Sequence, residues 1–214
     1  MTREYGLGRI AAPDARDRKF MLQRPAEAAG IEHRYWITRG AAYDQGSTSQ
    51  CVAYSWVRWL TTNPIVNNPL PFAELYNECQ RNDEWDGEDY DGTSVRAGAK
   101  ALRSRGLVSE YRWAFDGETV VAHVLAREPV VLGTDWYWGM FDTDSKGFIH
   151  PEGSVVGGHA YTVIGASRTK KAVRIINSWG PGWGQKGRAW LSFEHLDKLI
   201  KASGEACVAI ETRG

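Results

Sequence analysis

The stretch "AYTVIGASRTKKAVRIINSW" (Ala160–Trp179) sets two runs rich in Val and Ile on either side of the polar, basic segment "SRTKK". Apolar β-branched runs bounded by a turn-forming segment have the pattern of two antiparallel strands joined by a hairpin. Counted outward from Thr169, His159 and Asn177 fall near the two open ends on arms of unequal length, so a bulge is needed to bring them side by side. An Asn carboxamide facing a His ring can accept a hydrogen bond from one ring nitrogen and fix the ring's orientation.

Working outward, "PVVLGTDWYW" (129–138) and "GRAWLSFE" (187–194) have the same strand-like texture, so the chain after about Val120 reads as β structure. The first half reads differently. From Cys51, Val52, Ala53, Trp56, Val57, Trp59 and Leu60 form a helical stripe that ends at "TNP" with Pro64. "PFAELYNECQ" (71–80) and "SVRAGAKALRSRG" (94–106) are two further helices, the second spaced by Val95, Ala99 and Leu102 and stopped by Gly106. Residues 1–42 lack periodicity and read as an extended arm lying across the fold. The expected architecture is α+β, a helical lobe over about 43–119 and a β lobe over about 120–214, with a cleft between them.

The 214 residues carry 26 basic and 26 acidic side chains, so no charge imbalance points to nucleic acid or an acidic membrane surface. The start, "MTREYGLGRIAAPDARDRKF", has no apolar run behind a basic end, and no stretch approaches the roughly 18 apolar residues of a membrane span. A cytoplasmic location is the expectation. Three cysteines, Cys51, Cys79 and Cys207, are too few for a disulfide framework and leave at least one thiol free.

Cys51 opens its helix, where unpaired N–H groups and the helix dipole favour thiolate. Paired with an imidazolium, such a thiolate is a ready nucleophile, and His159, behind two glycines in "VGGHAYTV", is the best candidate partner. Asn177 takes the orienting role of a triad. Gln45, on the glycine-containing loop before the thiol, and the Cys51 N–H are two donors for an oxyanion.

"DQGSTSQCVAYS" (44–55), "GGHAYTVIGA" (157–166) and "IINSWGPGWGQKGRAWLSFE" (175–194), in that order, resemble three blocks of the papain family of cysteine peptidases, more the bacterial and phage members than the lysosomal ones. The resemblance spans about 43–193. It implies a helical lobe and a β-barrel-like lobe, with Cys51 as nucleophile, His159 as acid and base, Asn177 as its orienter, Gln45 in the oxyanion hole, and Trp179 shielding the His–Asn bond. Peptide or protein would be the substrate, no metal or organic cofactor is needed, and no partner subunit is implied; the balanced charge and missing apolar span call for no nucleic acid or membrane.

Thr48 stands where the family usually has a cysteine whose disulfide partner would correspond to Cys79, so that bridge cannot form. Val52 replaces the usual tryptophan after the nucleophile. The 108 residues from Cys51 to His159 are fewer than the roughly 130 usual between these blocks, which implies trimmed cleft loops. The arm before Tyr43 is a possible propeptide remnant.

Weaker readings concern the cleft. In "TDWYWGMF", Trp136, Tyr137 and Met140 are candidate pocket residues; Gly92 in "DYDGTS", Gly158 and Trp179 are further substrate-binding candidates. The acidic run "NDEWDGEDYDG" (82–92) lacks the ligand alternation of a calcium loop and reads as solvated loop. His33, His123, His150 and His195 read as structural. Two rival functions share the chemistry or the fold: a Cys-His amidase or acyltransferase acting on cell-wall or other non-protein amides, and a catalytically silent binding module.

Overall fold

The computed structural model describes residues 5–211. The three helices read from the first half are present: α1 (Cys51–Leu60), α2 (Phe72–Asn82) and α3 (Val95–Ser104). α1 is buried on nearly every side, Trp56 donating its indole N–H to Val95 O at 3.0 Å and Trp59 to Pro129 O at 3.1 Å. α3 starts on a Ser94 cap that accepts from Ala97 N–H, and stops where Gly106 takes φ +71°. Gly98 in α3 is where Trp56 presses against the helix: a Cβ there would stand 2.0 Å from the indole.

One antiparallel sheet holds all seven strands found among the described residues: β1 (His33–Tyr35), β2 (Val108–Ala114), β3 (Val130–Tyr137), β4 (Val155–Ser167), β5 (Ala172–Ile176), β6 (Arg188–Ser192) and β7 (Glu205–Glu211). The order is β2-β7-β3-β4-β5-β6, and β1 pairs with the far end of β4, Tyr35 opposite Gly165. β4 and β5 are the hairpin read from the sequence. Their register slips between Val163 and Gly165, the bulge that the unequal arms require.

The division between a helical and a β half is less clean than the sequence suggests. β2 falls within the expected helical half but pairs along β7 at the sheet's edge. Two helices fall in or against the β half: α4 (Gly117–Ala126), capped by Asp116, and α5 (Phe193–Ala202), capped by Ser192. α4 is apolar on most of its surface, so it carries little amphipathic period to read. "GRAWLSFE" is strand only to Ser192, whose side chain accepts from His195 N–H and turns the rest into helix.

The arm is also not uniformly extended. After short 3₁₀ turns at Ala15–Phe20 and Ala26–Gly30 its end becomes β1, an integral strand. Two large apolar clusters result: one of Trp136, Tyr161, Trp179, Trp183 and the residues of β3 to β6, the other of α1, α2 and α3 against Val131, Ala160 and Cys207. α1 lies where they meet, packed on β4, with Thr162 Oγ1 donating to Ser55 O at 3.0 Å. No helix among the described residues is long and apolar enough to cross a membrane.

Candidate active site

Four sequence segments converge where the N-terminus of α1 meets β4. His159 Nε2 lies 2.7 Å from Asn177 Oδ1, which also accepts from Ser178 N–H at 2.8 Å. With that oxygen accepting both, Nε2 carries the ring proton and Nδ1 is left as the basic nitrogen. Nδ1 is buried and has no hydrogen-bond partner. Trp179 is fully buried and stacks on the imidazole at 4.5 Å between centroids, while Trp136 meets it edge-on at 4.9 Å. The His–Asn pair is thereby closed off from water.

Cys51 is the first residue of α1, as the sequence suggests, but burial there works against the acidic thiol that a helix start favours. Its Sγ accepts from Ala160 N–H at 3.3 Å and is fully buried. Burial pushes the thiol up to about 12, outweighing the lowering by the Ala160 and Val52 N–H groups. Burial likewise depresses His159 to about 4, against a smaller raising by Asn177. In this conformation desolvation of both groups works against the charged thiolate–imidazolium form. A helix N-terminus stabilises an anion only by fractions of a kcal/mol to about 2, less than full desolvation costs.

The N-terminal arm runs along the cleft beside both groups. Gly8 and Arg9 donate their N–H groups to Gly158 O at 3.1 and 3.0 Å on one side of the cleft. On the other side Thr93 N–H donates to Gly8 O and Ile10 N–H to Thr93 O, both at 2.9 Å. The Gln45 side-chain amide donates to Leu7 O at 3.4 Å, so an arm carbonyl rests on the candidate oxyanion donor. Trp179 donates its indole N–H to Gly6 O at 2.9 Å, and Tyr5 stacks on that indole. Close approach depends on glycine: a Cβ on Gly6 would stand 2.1 Å from Thr48 O, and one on Gly8 2.2 Å from Ser49 O.

Gln45 is held for its place from behind. Its Oε1 accepts from Ser178 Oγ at 2.6 Å and its backbone N–H donates to Ser178 O at 2.8 Å, leaving the amide NH₂ toward Thr48 O and the cleft. Ser178 was not singled out in the sequence. Its position beside Asn177 was the available signal, but its partner is 133 residues away.

The weaker pocket candidates are placed as follows. Gly158 meets the arm backbone directly. Gly92 does so only by leaving room, since its own N–H goes to Tyr76 Oη at 2.8 Å and a Cβ there would meet Gly8 O at 2.4 Å. The backbone partner is its neighbour Thr93, steered by Asp83 in the acidic loop, whose Oδ2 accepts from Thr93 Oγ1 at 2.8 Å. Trp136 and Met140 are fully buried in the β-lobe core, and Tyr137 packs partly buried against it. Trp136 thus backs the imidazole, and Met140 offers no surface to a ligand in this conformation. Cys79 and Cys207 are fully buried and free, their thiols raised by burial. The described residues contain no group of three or more His, Cys, Asp or Glu arranged to hold a metal ion.

No family model matches the sequence. Two curated relatives match in part. A cathepsin B-like cysteine proteinase of Schistosoma japonicum is 39% identical over 66 residues, 30% of this chain and 19% of that protein. Cathepsin B-like cysteine proteinase 3 of Ostertagia ostertagi is 32% identical over 81 residues, 37% of this chain and 47% of that protein. The matched stretches therefore span less than half of either relative. Among solved structures, xylellain, a cysteine protease from Xylella fastidiosa, superposes with a TM-score of 0.79 at 20% identity, over 100% of this chain and 99% of that one. Its structural neighbours are papain-like cysteine proteases, and the chain has their α+β, papain-like fold.

Proposed function

We propose that this chain is a papain-like cysteine peptidase whose N-terminal segment holds it latent. The observation that carries this reading is the convergence of Cys51, His159, Asn177 and Gln45 at one point, His159 Nε2 being 2.7 Å from Asn177 Oδ1. When the arm leaves, water enters, the desolvation that keeps the thiol and ring neutral is relieved, and the Cys51 proton passes to His159 Nδ1. The thiolate attacks a peptide carbonyl, and Gln45 Nε2 and the Cys51 N–H receive the oxyanion. The imidazolium protonates the leaving amine; a water deprotonated by the same nitrogen then hydrolyses the thioester. The arm, residues 1–42, is the propeptide-like part and 43–214 the peptidase domain, of the compact kind that bacterial and phage members resemble. The nearly complete mutual coverage with xylellain supports that compactness.

The test is reaction of the intact chain and of Gly8→Ala, in which the arm is displaced, with an epoxide-type thiol inhibitor, read by intact mass and peptide mapping, beside turnover of a quenched peptide library. A single adduct on Cys51, lost in Cys51→Ala and slowed in His159→Ala, is expected. Equal modification of Cys79 and Cys207, or turnover that survives Cys51→Ala, refutes the assignment. Preferential hydrolysis of peptidoglycan fragments would favour the amidase reading instead.

A further inference from the structure

Among the described residues of the arm, Arg9 enters the protein as a long charged group beside the candidate site. Its side chain is 1% exposed, and the slot that holds it is built from the sheet. Gly133 on β3 forms the floor: a Cβ there would meet Arg9 Cγ and Nε at 3.1 Å each. Val95, at the start of α3, forms a wall, with its Cγ2 2.5 Å from that same Cβ position. Directly opposite Gly133 in the β3–β7 register stands Glu205, whose Oε2 accepts from Arg9 Nε at 2.9 Å. Ser203 O accepts from Nη2, and Asp135, two residues beyond Gly133 and so on the same face, lies 3.5 Å from Nη1 at the mouth. Every nitrogen of the guanidinium therefore has an acceptor.

This slot opens onto the cleft. Arg9 N–H donates to Gly158 O, one residue before His159, so the side chain enters within a residue or two of where a reacting carbonyl would lie. None of its acceptors belongs to the arm: Asp135, Ser203 and Glu205 lie on or between strands of the central sheet. Departure of the arm leaves the slot intact, with a carboxylate at its base that has lost its cation.

We infer that Glu205, with Asp135 at the mouth, is a specificity-determining carboxylate, and that the preferred substrates are peptides placing an arginine in the slot that Arg9 fills. This inference rests on the peptidase reading above. A neutral side chain would leave Glu205 buried and unpaired, and a site built for a charged partner discriminates strongly against substrates that lack it. Arginine is preferred to lysine because three separate nitrogens are used, and an ammonium cannot fork to Glu205, Ser203 O and Asp135 together.

The experiment uses the full chain carrying Gly8→Ala to displace the arm, with and without Glu205→Gln, against internally quenched peptides in which each position around the scissile bond is fixed in turn. The expected result is one position, within about three residues of the cleaved bond, where kcat/KM with arginine exceeds that with leucine by about 100-fold. Lysine is expected to fall about 10-fold below arginine. In Glu205→Gln the arginine-to-leucine ratio should fall below about 5-fold. If that variant shows no cooperative thermal unfolding, Asp135→Asn replaces it, with a smaller drop of about 3-fold expected. Turnover without basic preference at any position, or an unchanged ratio in a folded Glu205→Gln, overturns the inference and leaves the peptidase reading standing. Turnover by none of the chains overturns the peptidase reading, and this inference with it.

Discussion

Gly8→Ala should unlock the candidate site without touching any residue of the triad. Gly8 sits at φ +127°, and a Cβ on it would stand 2.2 Å from Ser49 O, 2.6 Å from Ser49 C and 2.8 Å from Ser49 Cα. All three are backbone atoms of a loop fixed by Thr48 N–H and Oγ1 donating to Gln45 O, so the neighbour cannot yield. Ordinary contact begins at 3.4 Å, so the arm must withdraw by more than an ångström. The φ angle adds about 1–2 kcal/mol for a residue with a Cβ, and each strained or lost backbone bond to Gly158 or Thr93 about 1 kcal/mol. The closed state therefore loses about 3 kcal/mol, while in the released arm alanine costs nothing. That raises the open population by about 100-fold, and the alkylation rate of Cys51 with it. The assay is pseudo-first-order labelling by iodoacetamide at neutral pH, followed by intact mass, with buried Cys79 and Cys207 as internal references. A rate within about 3-fold of the unsubstituted chain, at an unchanged thermal midpoint, would refute the argument that the arm covers the thiol in solution.

Three further outcomes follow from the same geometry. Because burial lowers His159 to about 4, the unfolded chain binds one more proton than the folded one between about pH 6.5 and 4, so stability falls as pH falls through that window. Urea unfolding at pH 7 and pH 5 should show a loss of about 2 kcal/mol that is absent in His159→Gln; an equal loss in both chains would place the proton uptake elsewhere. Gln45→Ala should lower kcat on a peptide substrate by about 10²-fold with little change in KM, as expected for a donor used mainly in the transition state, and a pure KM effect would contradict that role. Gly98→Ala drives a methyl to 2.0 Å from the buried Trp56 indole, so it should cost about 1–3 kcal/mol and lower the thermal midpoint by several degrees, with calorimetry as the check.

What the sequence determined by itself was local. The stripe from Cys51 to Leu60, the Gly106 stop and the β-branched runs around "SRTKK" specify their elements because hydrophobic period and turn residues act over a few neighbours. The unequal arms of the hairpin already required the bulge that sets His159 against Asn177. α4 was illegible because burial on nearly all sides erases the amphipathic period, and β2 because its strand partner lies about a hundred residues away on β7.

The burial of the thiol was decided by the tertiary structure alone. The helix start argues for an acidic Cys51, but full burial of Cys51 and His159 works in the opposite direction, against the charged forms. Only the fold, too, sets Glu205 across from Gly133 and Arg9 between them, since burial and charge pairing between residues so far apart in the chain leave no mark on either segment read alone.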